Sequence, residues 1–370
     1  VILAAVPALA AAAYQLLALV AALVWKRRPS LPSAGSDPPI SVLKPLYGRD
    51  ARLYRALRSH VTQDYPEFEI LFGVRNPNDA ALEDVERLRR EFPHVPMRAI
   101  VVETDAANPK VGVLASLAAE ARHPVLLIND DDMVVGPGYF QTVANELSRP
   151  GAGLVTCLYR AEAESLATRA EALGVATEFA PSVMVARLLG VAGFALGATM
   201  VMHAQTLRKI GGFGPIADYL ADDYELGRRV AEAGYRVEFA PVVVETGLGG
   251  ASWKEVWRHQ VRWARTIRVS RQGGYYGSLI THTTFWALVA LAAGEWQVAV
   301  AALALRLAAG WVAGALRLGD PLVKRWFWLM PLRDLFGLVV WAGGCSGSTV
   351  FWRGRKLRLT PDGRIKELPA

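Results

Sequence analysis

Val125-Leu126-Leu127-Ile128-Asn129-Asp130-Asp131-Asp132 is the stretch whose reading decides the fold: an apolar strand that runs straight into three carboxylates. Working outward from it, β-rich runs at residues 40–43, 68–74 and 97–102 alternate with helical apolar spacing at 51–61, 79–92 and 111–121. The order βαβαβαβ predicts an α/β domain with a mainly parallel sheet and helices on both faces. Ligands of such sheets sit at the carboxyl ends of the strands, where Asn76 and Asp130 both fall. Downstream, residues 153–159 and 197–203 are strand-like, and a helix is expected from about Asp222 to Ala233, stopped by Gly234.

Three short motifs carry chemistry. Asp130 and Asp132, two apart where the strand bends into a loop, can both face a ligand. The competing reading is a solvated turn, which Asn-Asp runs favour. Three adjacent carboxylates repel one another without a cation, so a divalent, oxygen-liganded ion, Mg²⁺ or Mn²⁺, is expected on Asp130 and Asp132. Ala221-Asp222-Asp223-Tyr224 stands where a helix begins. There Asp222 suits a cap and Asp223 a carboxylate meeting the helix dipole, or a general base that takes a proton from a hydroxyl. Residues 252–268 form an amphipathic helix with Trp253, Val256, Trp257, Val261, Ala264 and Ile267 on one side and Arg258, Arg262 and Arg265 on another. That pattern is an interfacial basic helix by residue type. Within it, His259-Gln260-Val261-Arg262-Trp263 offers a cation and an aromatic plane that can close over a diphosphate. In this order the three motifs read as a sugar-transfer site: metal-bound diphosphate, base, and leaving-group contact.

At 370 residues and 52% hydrophobic, the chain is more apolar than a typical soluble enzyme, and the excess lies at the two ends. Ile2 to Trp25 is nearly uncharged, enough to cross roughly 30 Å of hydrocarbon as a helix, and Lys26-Arg27-Arg28 follows at once. We read an uncleaved anchor with a cytoplasmic exit; a signal peptide is the competing reading. Residues 283–316 suggest two spans turning at Glu295-Trp296, with Arg306 inside the second. Residues 326–351, interrupted by Arg333-Asp334, suit a third span, a broken helix or an interfacial one. The apolar stretch 166–194 carries Arg169, Glu171, Glu178 and Arg187, which favours an interfacial or groove-lining helix over a span. Net charge is +7, but the basic residues gather beside apolar segments and tryptophans, which favours anionic lipid over nucleic acid as a partner. Cys157 and Cys345 are far apart, so neither a disulfide framework nor a zinc site is indicated, in keeping with a reducing cytosol.

At these motifs the chain resembles family 2 inverting glycosyltransferases, in particular the ceramide glucosyltransferase group and its hopanoid-associated bacterial relatives. The resemblance runs from about Ile40 to Arg268 through Ser41-Val42-Leu43-Lys44-Pro45-Leu46, the stretch from Asp64-Tyr65-Pro66 to Val74, Asn108-Pro109-Lys110, the Asp130 region, Ala221-Asp222-Asp223-Tyr224 and Arg262-Trp263. It implies a nucleotide-diphospho-sugar transferase (GT-A type) fold and transfer of a hexose, with inversion, from a UDP-sugar to a lipid at the cytosolic face of the inner membrane. It also implies sites. Uridine would lie beside Lys44, Pro45 and Arg75-Asn76, and Lys110 would join the nucleotide-sugar contacts. The diphosphate and metal would lie at Asp130 and Asp132, the base at Asp223, and the last motif near the diphosphate. Asn76 stands where the family's first aspartate aligns, and His259 where Gln or Arg is common.

The expected organisation is an anchor at 1–28, a linker at 29–39, a cytosolic transferase domain at 40–272, a C-terminal membrane region at 273–352 and a basic tail at 353–370. A processive polysaccharide synthase shares the metal and base motifs. A sugar-nucleotide-binding protein with lapsed catalysis is the reading that Asn76 favours and that Asp223 and Arg262 oppose.

Overall fold

The computed structural model describes residues 2–25, 37–191 and 193–368. Lys26-Arg27-Arg28 and the linker up to residue 36 lie outside the described residues. The chain divides into two compact units: a sheet unit of Arg27–Leu158 and Ala192–Gly247, and a helical unit of Val1–Lys26, Tyr159–Val191 and Leu248–Ala370.

The sheet is built from β1 (Ile40–Pro45), β2 (Phe68–Val74), β3 (Met97–Val101), β4 (Val125–Ile128), β5 (Ala152–Glu162), β6 (Met200–His203) and β7 (Arg236–Gly247), in the order β3-β2-β1-β4-β6-β5-β7. β1, β2, β3 and β4 pair in parallel, with Ile40 opposite Phe68 on one side and Val125 on the other. β6 runs antiparallel to β4 and β5. The four parallel strands are those read from the sequence; β1, β2 and β4 are almost wholly buried, as apolar runs covered on both faces are, and β3 is a half-exposed edge. Their crossover helices are Leu53–Val61, Ala81–Glu91 and Pro109–Glu120. The last packs on β1 and β2, with Leu114 and Leu117 joining Leu43, Leu71 and Ile128 in the core. Successive strands β1 to β3 build in one direction and β4 returns to the other side of β1. That reversal opens a crevice at the carboxyl ends of β1 and β4. The strand expected at 197–203 begins only at Met200, which leaves Gly197 in a loop. β7 and the helix Tyr139–Leu147 are not evident in the sequence pattern.

In the helical unit, Ile2–Val24 packs against Ala180–Leu188, Thr283–Ala292 and Trp296–Gly310. Ala8, Ala287, Ala290, Ala299 and Ala302 meet at the contact, small residues that let helix backbones approach closely. Gln15 donates to Thr283 Oγ1 at 2.8 Å, and Arg317 caps the first helix through the carbonyl of Ala22 at 2.6 Å. Ala5–Val24 and Trp296–Arg317 are long and apolar enough to cross a membrane. Thr283–Ala292 is not: at ten residues it reaches about 15 Å, half of a ~30 Å hydrocarbon layer. The turn between these two helices falls at Gly294-Glu295, next to its expected place. Residues 326–351 are broken into the end of Pro321–Trp326, a 3₁₀ turn, the helix Met330–Cys345 and β8 (Thr349–Trp352). With β9 (Arg355–Leu359) and β10 (Ile365–Glu367), β8 forms a small antiparallel sheet. The expected basic tail begins at its first hairpin, where Arg353 and Gly354 take φ of 47° and 75°, the left-handed pair that a two-residue turn requires.

Residues 166–188 are helical throughout, with a π turn at Val175–Phe179. The amphipathic stretch is the helix Trp253–Ser270, opened by a capping box between Ser252 and Glu255. Its buried residues are Val256, Gln260, Val261 and Ala264, while Trp253 and Ile267 are exposed, so the apolar face read from the sequence is only partly covered.

Candidate active site

The crevice at the switch of strand order is lined by charged side chains. Lys44, next to last in β1, is fully buried, and its ammonium donates to the backbone carbonyl of Asp130 at 3.0 Å. Burial pulls its pKa down to about 8, against the opposing pull of Asp131, Asp132 and Asp130. Below it, Asn129 is held by Tyr139, Ala198 and Thr199, and His60 Nε2 lies 3.1 Å from its Oδ1. These bonds fix the strand end from which the three aspartates project. Burial, and next to it Lys44, hold His60 well below its usual pKa.

Lys110 sits at the centre of the site. Asn108 caps its helix by accepting from the Lys110 amide at 3.0 Å, Pro109 fills the first turn, and the Asn108 side chain ties to the carbonyl of Tyr219 at 2.8 Å. A lysine in the first turn opposes the helix dipole, so its placement needs another cause. The cause is a pair of carboxylates: Lys110 Nζ lies 2.7 Å from Asp130 Oδ1 and 3.0 Å from Asp222 Oδ2. Burial disfavours its charge, but Asp130, Asp222 and Asp223 outweigh that and raise its pKa.

Asp222 therefore does not cap its helix, as the sequence suggested. The cap position is Ala221, without a side-chain bond, and Asp222 turns to Lys110 instead. Asp223 Oδ2 accepts from the Gly197 amide at 2.8 Å and Oδ1 from the Tyr224 amide at 2.7 Å. Burial and the neighbouring Asp222 push Asp223 up to about 6, against Lys110 and the two amides. A Cβ added at Gly197 would stand 3.1 Å from Asp130 Oδ2, 3.3 Å from Asp223 Oδ2 and 3.8 Å from Lys110 Nζ. Three groups from three elements thus converge on one point that only glycine leaves open.

Asp132 accepts from Thr246 of β7. Burial and the charges of Asp130 and Asp131 push it up to about 7. Five carboxylates (Asp130, Asp131, Asp132, Asp222, Asp223) and the ammonium groups of Lys44 and Lys110 thus crowd this end of the sheet. Among the described residues no cluster of three or more His, Cys, Asp or Glu side chains is arranged to hold a metal alone. The donor set fits Mg²⁺ or Mn²⁺ in another form, one or two carboxylates with the rest of the shell from diphosphate and water.

Pro45 closes β1 beside Lys44. Asn76 is exposed after β2, where its Oδ1 accepts from the Asn78 amide at 2.9 Å in a tight turn. His259, Arg262 and Trp263 belong to the helical unit. There His259 Nδ1 lies 2.5 Å from Glu171 Oε1, which also accepts from Gln260 at 2.9 Å, and the His259 ring rests 4.8 Å from that of Trp263. Glu171 is the partner that the sequence reading missed; it was visible only as a charge in an apolar stretch.

The mainly parallel sheet with an acidic switch point is that of a nucleotide-diphospho-sugar transferase fold. The chain belongs to glycosyl transferase family 21, whose profile matches residues 1–365. It is 29% identical over 200 residues to ceramide glucosyltransferase 1 of Caenorhabditis elegans, covering 53% of this chain and 43% of that protein. It is 27% identical over 204 residues to ceramide glucosyltransferase 3 of the same organism, covering 54% and 44%. The chain thus spans less than half the length of these relatives. Among solved structures, the mannosyltransferase PcManGT of Pyrobaculum calidifontis, in complex with GDP-Man and Mn²⁺, aligns at a TM-score of 0.56 and 19% identity over 92% of this chain and 98% of that one. That likeness establishes the fold.

Proposed function

We propose that the chain is a membrane-bound inverting glycosyltransferase that moves a hexose, glucose or N-acetylglucosamine, from a UDP-sugar to a lipid hydroxyl such as that of ceramide or a hopanoid polyol. The observation that carries this reading is the convergence of Asp223, Asp130 and Lys110 around Gly197. Asp223 takes the proton of the acceptor hydroxyl as its oxygen attacks the anomeric carbon. The bond from that carbon to the diphosphate breaks on the opposite face, which inverts the centre and releases UDP. A base raised to about 6 is ionised at neutral pH yet close enough to accept a proton well. Lys110 holds Asp222 and Asp130 so that Asp223 alone is available to the acceptor.

Asp130 and Asp132 would hold Mg²⁺ or Mn²⁺, which when bound neutralises charge developing on the diphosphate. Lys44, Pro45 and Asn76 would contact the nucleotide, as the resemblance implies. The resemblance gives Arg262 and Trp263 the role of leaving-group contacts; within the helical unit, Glu171 steadies His259 and Gln260 beside them. The two long apolar helices and the names of the ceramide glucosyltransferase relatives support a membrane location with a lipid acceptor, the sheet unit facing the cytoplasm of the inner membrane. Incubation of the purified chain with a panel of UDP-sugars and a lipid extract, read by mass spectrometry, tests this. We expect a lipid heavier by one hexosyl or N-acetylhexosaminyl unit; free sugar or long glycans without a glycolipid product would reject it.

A further inference from the structure

The helical unit encloses a cavity of about 290 Å³, and the catalytic carboxylates do not line it. Its walls are apolar at Phe179, Trp263 and Trp341. Four of its lining residues, Gln260, Trp263, Ala264 and Ile267, come from the helix that carries the His259–Trp263 motif. The charged side chains in the lining are Arg306, Asp334, Arg333 and Glu178, two of each sign, and each has an opposite charge beside it. Arg306 lies 2.7 Å from Asp334, and Arg333 lies 3.1 Å from Glu178. The cavity is therefore electrically neutral although it is built with four ions.

Among the described lining residues, His282 and Glu178 are open to a guest, as is the Tyr14 hydroxyl. His282 is 6% exposed, lines the cavity, and has Trp341 edge-on at 6.1 Å with no hydrogen bond to its ring among the described residues. An accessible ring nitrogen without a protein partner is free to bond a ligand or water. Glu178 keeps 39% of its side chain exposed, so its carboxylate can still accept a hydrogen bond. A hydroxyl or amide both donates and accepts, and suits this pair. A phosphate does not: it would bring a charge for which both arginines are already taken, beside a carboxylate that repels it. The volume lies just under the roughly 300–1,000 Å³ of small-molecule sites, a size that suits a lipid head and its first carbons rather than a whole lipid.

We propose that this cavity binds the lipid acceptor of the transfer described above, a proposal that rests on that reading, and that it selects an uncharged hydroxyl-bearing head over a phosphate head. The test uses the full chain in detergent with a photoactivatable, alkyne-tagged ceramide, and reads labelling and UDP-sugar binding separately. Ser182 is an exposed lining residue whose side chain, among the described residues, bonds to the carbonyl of Phe179, so Ser182→Trp should obstruct the cavity from its exposed side.

We expect labelled peptides from the cavity walls, competition by unlabelled ceramide but not by phosphatidic acid, and a loss of about tenfold or more in Ser182→Trp and His282→Leu. His282→Gln should retain most labelling, because it keeps a donor and an acceptor. Glu178→Gln, which leaves Arg333 without its counter-charge, should let phosphatidic acid compete. UDP-sugar binding should stay within about twofold of the parent in every variant. Parent-level labelling of a folded Ser182→Trp variant, or equal competition by phosphatidic acid and ceramide, would overturn the proposal. The two readings fail separately: full glycolipid synthesis by Ser182→Trp removes the cavity assignment alone, whereas cavity labelling in a protein that transfers no sugar removes the proposed reaction alone.

Discussion

Lys110→Met keeps the length of a buried stem and removes its charge. The ammonium is 8% exposed and stands 2.7 Å from Asp130 and 3.0 Å from Asp222. Breaking a buried pair by removing one partner costs about 3–5 kcal/mol, because the other charge is left uncompensated. The Asp130 side chain is 38% exposed, so water screens its part, and the lower end of that range, about 3 kcal/mol, applies. For a unit of this size each kcal/mol moves the melting temperature by roughly 2–4 °C, so a drop of roughly 6–12 °C is expected. Thermal unfolding of the purified chain in detergent, with a chelator present, measures it. Adding Asp222→Asn removes one of the orphaned charges and should restore at least half of the loss, a coupling that a double-mutant cycle isolates. Lys110 also lowers the pKa of Asp223, so the variant's remaining transfer should need a higher pH. A single variant melting within about 2 °C of the parent, or a double variant no better than the single one, would refute the buried clamp.

His60 is buried neutral, with its folded pKa well below its unfolded value near 6.5. Its stability contribution is therefore full above about pH 6.5 and is lost as pH falls below it, at up to about 1.4 kcal/mol per pH unit. Melting curves from pH 7.5 to 5 should flatten in His60→Gln, and an unchanged slope would speak against a neutral buried ring. In Gly197→Ala the new methyl group crowds Asp130 and Asp223, so transfer should fall by about 10²-fold with little change in melting; parent-like turnover would show that the carboxylates do not converge in action. Chelation should abolish transfer and Mg²⁺ or Mn²⁺ restore it, whereas full activity of Asp132→Ala in excess chelator would remove Asp132 from the metal site.

The parallel half of the sheet was legible because its strands are short, mostly apolar runs spaced by helical periodicity, a pattern that needs no tertiary information. β7 was not: Pro241 and the acids Glu238 and Glu245 argue against a strand, and they are tolerated because β7 is an edge, where proline breaks no ladder. With β7 went Thr246, the partner of Asp132. The acidic motifs announced themselves as charge beside apolar sequence, but their wiring did not. Asp222 reads as a cap in one dimension and is a lysine partner in three. Gly197 carries no signal at all, since its role is the side chain it lacks. Glu171 and His259 lie 88 residues apart and meet only through packing of their helices.

Asp223→Asn keeps the size of the side chain and removes the proton acceptor. The account predicts that glycolipid formation from a UDP-sugar falls at least about a hundredfold while UDP-sugar binding by calorimetry stays near the parent value. Normal turnover by Asp223→Asn, with loss of turnover in Asp222→Asn instead, would contradict the central claim that Asp223 is the base.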